Sequence, residues 1–257
     1  MNEVTNVVPP QELLAGETAS AAADLELAAM IKAGIHLGHA KTKNHPSMQP
    51  FIFGVRNTIS IIDLAKTREK FGEAMIWLKG IIGKGGMILL VGTRPAARKV
   101  IAEIAEISKM PYFIERWIGG TLTNFKVISK RVEYMERLEK EKAGGEFEKY
   151  TKKERMKKEE EITHLKRNFE GLRTLKRLPD AVFVVDITHD DTAVREARRM
   201  KIPLVALCDT NSNAALIDHP IPSNDDALPA VRYMVGRIGE AIEEGQKQAQ
   251  THEEKSG

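Results

Sequence analysis

Three short apolar runs with no charged interruption constrain this chain most: Met87-Ile88-Leu89-Leu90-Val91, Ala181-Val182-Phe183-Val184-Val185 and Ile202-Pro203-Leu204-Val205-Ala206-Leu207. A strand with one wet face alternates apolar and polar residues, so unbroken runs of this length predict strands buried on both faces. Gly92-Thr93-Arg94-Pro95 ends the first run and opens a helix, with Thr93 or Arg94 near the cap and Pro95 in the first turn. A helix near Asp190 to Met200 separates the second and third runs. Strand, helix, strand in sequence means parallel strands joined by right-handed crossovers. The expected fold class is therefore α/β, a three-layer flavodoxin- or Rossmann-like parallel sheet with helices on both faces.

Residues 25–33 have high helix propensity and stop at Gly34. Residues 34–46 hold His36, His39, His45, Lys41, Lys43 and Pro46 without an apolar period, and they predict an exposed, functional loop. Phe51-Ile52-Phe53-Gly54 and Thr58 to Asp63 predict a small hairpin, a helical pattern follows from Leu64 to about Ile82, and Met110 to Glu115 supplies another short strand.

That strand runs into Arg116-Trp117-Ile118-Gly119-Gly120-Thr121-Leu122-Thr123-Asn124, where the texture changes. Two glycines permit unusual backbone angles, and the threonines and asparagine offer oxygens to cap a helix. Arg116 and Trp117 put a planar cation and a large ring at the same bend, suited to a packed corner or to a phosphate backbone. Beyond it, Ile128, Val132 and Met135 on one side of Gly144-Gly145, and Ile162, Leu165, Phe169 and Leu172 on the other, recur in steps of three and four. Such spacing predicts an inserted antiparallel helical hairpin, a two-helix coiled coil, over 126–173. The expected organisation is a tail at 1–24, a discontinuous globular domain over 25–125 and 174–243, that insertion, and a polar, fraying tail over 244–257.

Charge is distributed unevenly. Residues 126–177 hold 17 Lys plus Arg against 11 Asp plus Glu, while the whole chain has a net charge of only +3, so the remainder is net acidic. A basic segment on a near-neutral body suits an anionic partner, although a charge run is also what a solvated helical face shows. The single cysteine, Cys208, excludes a disulfide framework and a multi-cysteine zinc site, and it fits a reducing, cytoplasmic compartment. It follows five apolar residues and is expected to be buried. No apolar run approaches the roughly 20 residues that span a bilayer. The first 24 residues carry Glu3, Glu12, Glu17 and Asp24 but no Lys or Arg, unlike a secretory or mitochondrial leader.

The motifs of enzymes are incomplete. His36-Leu37-Gly38-His39 is similar to the His-Ile-Gly-His signature of class I aminoacyl-tRNA synthetases and related nucleotidyl transferases, which makes a nucleotide-binding enzyme the alternative reading. That signature follows a buried strand and opens a helix; here it follows a helix stop, and the companion Lys-Met-Ser-Lys-Ser is absent. Gly83-Lys84-Gly85-Gly86 precedes a strand where a phosphate loop would follow one. Gly92-Thr93-Arg94 is better placed, at a strand's carboxyl end and a helix N-terminus, for a cap or for a phosphate contact. Asp186, Asp190, Asp191, Asp209, Asp225 and Asp226 fall at or after strand ends, where helix caps and turns are weighed against a Mg²⁺ or acid/base site.

Taken together and in order, Ala33 to His39, Pro46 to Gly54, Ile61 to Leu64, Val91 to Thr93, Arg116 to Phe125, Leu178 to Asp180, Asp209 to Asn211 and Ile221 to Ala227 carry a resemblance. Over about residues 25 to 243 the chain resembles the bacterial small-subunit ribosomal protein S-two family. Asn44-His45-Pro46 stands where that family usually has Trp-Asn-Pro, and Asn213-Ala214-Ala215 also departs from its pattern.

The resemblance implies a non-catalytic, cytoplasmic, structural constituent of the small ribosomal subunit. It would bind small-subunit rRNA between head and body and support docking of ribosomal protein S-one and translation initiation. No cofactor, no metal, no membrane and no functional homo-oligomer are implied. The residues expected to meet RNA are His36, His39, Lys41, Lys43, Arg56, Arg94, Arg98, Arg116, Trp117, Thr121, Thr123 and Asn124, with Lys152, Lys153, Lys157 and Lys158 on the arm. Phosphate contacts of this kind need charge and shape rather than base readout.

Overall fold

The computed structural model describes residues 24–256, so the N-terminal tail expected over 1–24 lies almost wholly outside the described residues. The three apolar runs form strands β4 (Ile88–Val91), β6 (Ala181–Val184) and β7 (Leu204–Cys208), all fully buried. With β5 (Tyr112–Phe113) and β8 (His219–Pro222) they make one parallel sheet in the order β5-β4-β6-β7-β8. Alternate residues of each strand feed different cores. Ile88, Leu90, Ala181, Phe183, Val205 and Leu207 pack with helices α1 (24–33), α2 (Leu64–Ile82), α3 (Pro95–Ser108) and α7 (Leu228–Ser256). Leu89, Val91, Val182, Val184, Leu204 and Ala206 face α6 (Asp191–Arg199) and the 117–175 segment. Both faces are covered, which is why the runs needed no polar alternation.

Strand β8 has no counterpart in the sequence reading because Pro220 and Pro222 argue against a strand. They are tolerated here because β8 is the sheet's edge. Residues two apart point their backbone N–H the same way, so both missing donors fall on the unpaired side. On the other side, Ser223 N donates to Cys208 O at 3.1 Å. Cys208 itself is fully buried, and burial pushes its thiol well above the usual range.

The expected loop over 34–46 needs correction. Leu37–Ala40 is a strand, β1, and it pairs antiparallel with β3 (Ile59–Ile62), which also pairs with β2 (Ile52–Arg56). The expected hairpin is therefore two strands of a separate three-stranded sheet. Histidine and glycine hid β1 because its burial is only partial. Gly38 is required by close approach: a Cβ there would lie 2.8 Å from Thr210 Oγ1 and 3.0 Å from Ser60 O.

Helices α4 (Phe125–Ala143) and α5 (Lys152–Phe169) occupy the inserted segment. All the expected seam residues are buried, and Leu138 and Phe147 extend the apolar contact. Helix α5 starts with a capping box, in which Thr151 Oγ1 accepts from Glu154 N while the Glu154 carboxylate accepts from Thr151 N. Carboxylates of α4 bind cations that come later in the chain: Glu139 meets Lys166 and Arg173 at 2.7 Å each, and Glu141 meets Lys158 at 3.8 Å. Hydrogen bonds from Arg173 hold the Glu139 carboxyl down to about 2.

Helix α7 continues to Ser256, past the end expected near 243. Gln246 Nε2 donates to Ser108 O at 2.6 Å, and Glu244 pairs with Lys79, so this polar segment is tied to α2 and α3.

Candidate nucleic-acid interface

The bend at 116–124 is organised by a residue far away in sequence. Glu196 of α6 is 8% exposed and accepts from Trp117 Nε1 at 3.1 Å, Gly120 N at 2.7 Å, Leu122 N at 3.0 Å, and Thr123 N and Oγ1 at 3.1 Å each. Burial pushes this carboxyl up, but the donors of Gly120, Thr123, Trp117 and Leu122 outweigh it, so it titrates below the usual glutamate range. A buried anion held by N–H groups with no cation is an anion nest turned inward. Gly120, at φ +91°, uses the freedom expected of the glycine pair. The expected capping is not observed. Asn124 caps α4 without a side-chain bond, and Thr121 Oγ1 donates to Ile118 O at 2.6 Å. Trp117 and Thr121 are buried and brace the bend, which corrects the expected place of Thr121 on an RNA-facing surface, while Trp117 keeps 7% of its surface open towards one cleft.

A second polar network closes the carboxyl ends of the strands. Asp186, Asp209 and Asp225 are all at most 2% exposed. Arg94 reaches both Asp186 and Asp226, while His39 lies 3.2 Å from Asp209 through Nδ1 and 3.2 Å from Asp226 through Nε2. Two trios here, His39 with Asp209 and Asp226, and Asp186 with Asp225 and Asp226, have ligand-like spacing. The protein's own guanidinium and imidazole sit on those carboxylates. Burial, with the charges of Asp186 and Asp209, pushes Asp225 well above the usual carboxylate range.

The Asp209 carboxylate beside Nδ1 raises the His39 pKa, against burial and the charges of Lys43 and Arg94. A raised folded pKa gives stability that is complete below the unfolded value and lost as pH rises through the folded one. Thermal melts should thus show wild type losing more stability than His39→Gln as pH rises above about 6.5. Parallel pH profiles would contradict this ion-pair assignment.

Arg94 and Arg98 are therefore only partly available. Arg98 Nε donates to Thr93 O at 2.8 Å, and its NH1 lies 3.6 Å from Glu115. His36 is half-buried, whereas Lys41, Lys43 and Arg56 are exposed around the small sheet. On the arm, Lys152, Lys153 and Lys157 are exposed, but Lys158 sits 4.3 Å over the Tyr150 ring and 5.1 Å over Phe147 and pairs with Glu141. Lys158 is thus engaged within the protein, unlike the other three lysines.

Two groups of exposed cations pair with no carboxylate among the described residues. Lys152, Lys153, Arg155 and Lys157 lie at the start of α5; Arg116, Lys126, Lys130 and Arg131 lie at the bend and the start of α4. Helix α5, 18 residues long, spans about 27 Å. Lys126, Lys130, Arg131 and Arg155 were not singled out from sequence, because the many paired cations around them look the same in a linear chain.

Residues 30–245 match the family model described as Ribosomal protein S2. The chain is 42% identical over 227 residues to small ribosomal subunit protein uS2 of Roseiflexus castenholzii, covering 88% of this chain and 86% of that one. The chain belongs to the ribosomal protein S2 family. The uS2 protein of Dehalococcoides mccartyi is likewise 42% identical over 217 residues, 84% of this chain and 89% of the relative. That of Psychrobacter cryohalolentis is 41% identical over 227 residues, 88% and 86%. An S2-family protein is a structural protein and not an enzyme, which removes the nucleotidyl-transferase reading of His36 to His39. The geometry of that stretch agrees: it enters a strand, and His39 is locked between two aspartates. Among the described residues no helix is long and apolar enough to cross a membrane.

Proposed function

We propose that this S2-family chain is a structural constituent of the bacterial small ribosomal subunit that binds small-subunit rRNA through the two groups of unpaired cations. The observation that carries the reading is the contrast between them and the rest of the molecule. Of the fifteen cations over 126–173, seven meet carboxylates, as Arg94 and Arg98 do at the strand ends, while Lys126, Lys130, Arg131, Lys140, Lys152, Lys153, Arg155 and Lys157, with Arg116 at the bend, are left facing solvent. Phosphates are the ligand for such cations, and rRNA presents them in a fixed shape. Lys41, Lys43 and Arg56 on the small sheet extend the same surface chemistry.

The seat between head and body, the absence of a functional homo-oligomer and the support of ribosomal protein S-one rest on the family resemblance. They complete the proposal as translation-initiation support rather than catalysis. Small subunits from cells depleted of this chain should lose S-one in proportion, measured by quantitative mass spectrometry of gradient-purified subunits. Unchanged S-one occupancy on subunits lacking this chain would refute the docking role.

A further inference from the structure

At the base of the arm a cleft of about 610 Å³ opens between the bend, α4 and α5. Its size falls within the about 300–1,000 Å³ of sites that enclose a small molecule. Arg116 and Arg131 line it from opposite elements, and neither has a carboxylate partner among the described residues. The buried Trp117, Leu165 and Phe169 contribute its apolar lining. His164 and Asn168 add polar groups from α5, and Asn168 Nδ2 donates to His164 O at 3.0 Å. The acidic lining residue, Glu161, accepts from Tyr134 OH at 3.1 Å.

We infer that this cleft receives one unstacked nucleotide of a single-stranded RNA segment, its phosphate between Arg116 and Arg131 and its base among the apolar lining, His164 and Asn168. The inference rests on the RNA-binding reading above and adds the form of RNA and the place where it enters. Two unpaired guanidiniums at one concave site call for an anion, and guanidinium matches phosphate in a two-pronged geometry. Apolar lining beside them calls for a flat apolar group on the same ligand. A nucleotide has both, but in a duplex its base is stacked and paired inside the helix, so only a looped-out or single-stranded one fits a concave site. His164 and Asn168 offer donors and acceptors to a base edge, and Glu161 can accept from a base amino group or a 2′-hydroxyl. An acidic peptide satisfies the arginines and leaves the apolar lining without a partner, which makes it the weaker fit.

The test uses the full chain, a fluorescent eight-residue oligouridylate, an RNA duplex of equal length and a polyglutamate peptide. Arg116→Ala with Arg131→Ala should weaken the oligouridylate by tenfold or more and the duplex by less than threefold, with circular dichroism unchanged. The single-strand salt slope should fall by about 0.7, for the one phosphate no longer neutralised. Because the double variant alone would report charge only, 4-thiouridine in the oligonucleotide should cross-link to peptides within 116–119 or 161–169. Equal losses on duplex and single strand, cross-links confined to other segments, or displacement of the oligonucleotide by polyglutamate at lower concentration than by unlabelled oligouridylate would each overturn the inference. If the chain retains small-subunit rRNA while these tests fail, only the cleft is wrong; if it retains no rRNA, the RNA-binding reading falls with it.

Discussion

Glu196→Ala lowers the melting temperature of this protein by about 10 °C. The carboxylate satisfies five donors at the bend, and several of them are buried. At about 1–3 kcal/mol for each buried polar group left unpaired, and with partial repair by water, the loss is about 4 kcal/mol. A chain of this size shifts by about 2–4 °C for each kcal/mol, which gives the figure above. Glu196→Gln keeps the volume and one accepting oxygen but turns an NH₂ group towards donors, so it falls between wild type and alanine. The pH dependence carries an independent signature. A carboxyl held below its ordinary range contributes stability that is complete above the unfolded value and lost as pH falls through the folded one. Below about pH 4.3, wild type should therefore lose stability faster than Glu196→Gln. Melts followed by circular dichroism read both effects, and a shift under about 2 °C for alanine would show that the bend is held by packing alone.

Substituting Lys152, Lys153 and Lys157 by glutamine flattens the salt dependence of rRNA binding by up to about 2.7 in log–log slope, about 0.9 for each phosphate that is no longer neutralised on paired RNA. At about 0.1 M salt that is a loss of up to about 500-fold in affinity. The three lysines are exposed and form no salt bridge, so no ion pair within the protein offsets the loss. Lys158→Gln behaves differently: it removes a cation from two rings and from Glu141, and so it costs arm stability with little change in slope. Filter binding across a salt series separates the two. If the triple variant keeps the wild-type slope, the tip of the arm touches no phosphates.

The sheet was legible because its strands are enclosed on both sides, and enclosure writes itself into sequence as unbroken apolar residues. The helices α4 and α5 were legible for a similar reason, their residues Ile128, Val132, Met135, Ile162 and Leu165 being spaced for one buried face. The edge strand at His219–Pro222 was hidden because its prolines are admissible only where no neighbour pairs, a fact of topology rather than of local sequence. Glu196 was hidden more deeply. It sits in Arg195-Glu196-Ala197-Arg198-Arg199, which reads as a solvated helical face, and its donors lie 73 to 79 residues earlier. Which cations are spent internally is equally non-local: Arg173 meets Glu139 across 34 residues, while Arg131 nearby meets none. The bend looked like a phosphate-gripping motif from its residue types. In the folded chain Trp117, Thr121 and Thr123 serve Glu196 or the backbone, and Arg116 alone of the first pair faces outward.

The most direct measurement is sedimentation of cell extract carrying a tagged copy of this chain through a sucrose gradient at moderate salt, with every fraction blotted. Nearly all of the tagged protein should travel with the small-subunit peak, and the triple lysine variant should be partly displaced to the top as salt is raised. A tagged wild-type protein that stays at the top of the gradient, while other small-subunit proteins sediment normally, would contradict the assignment.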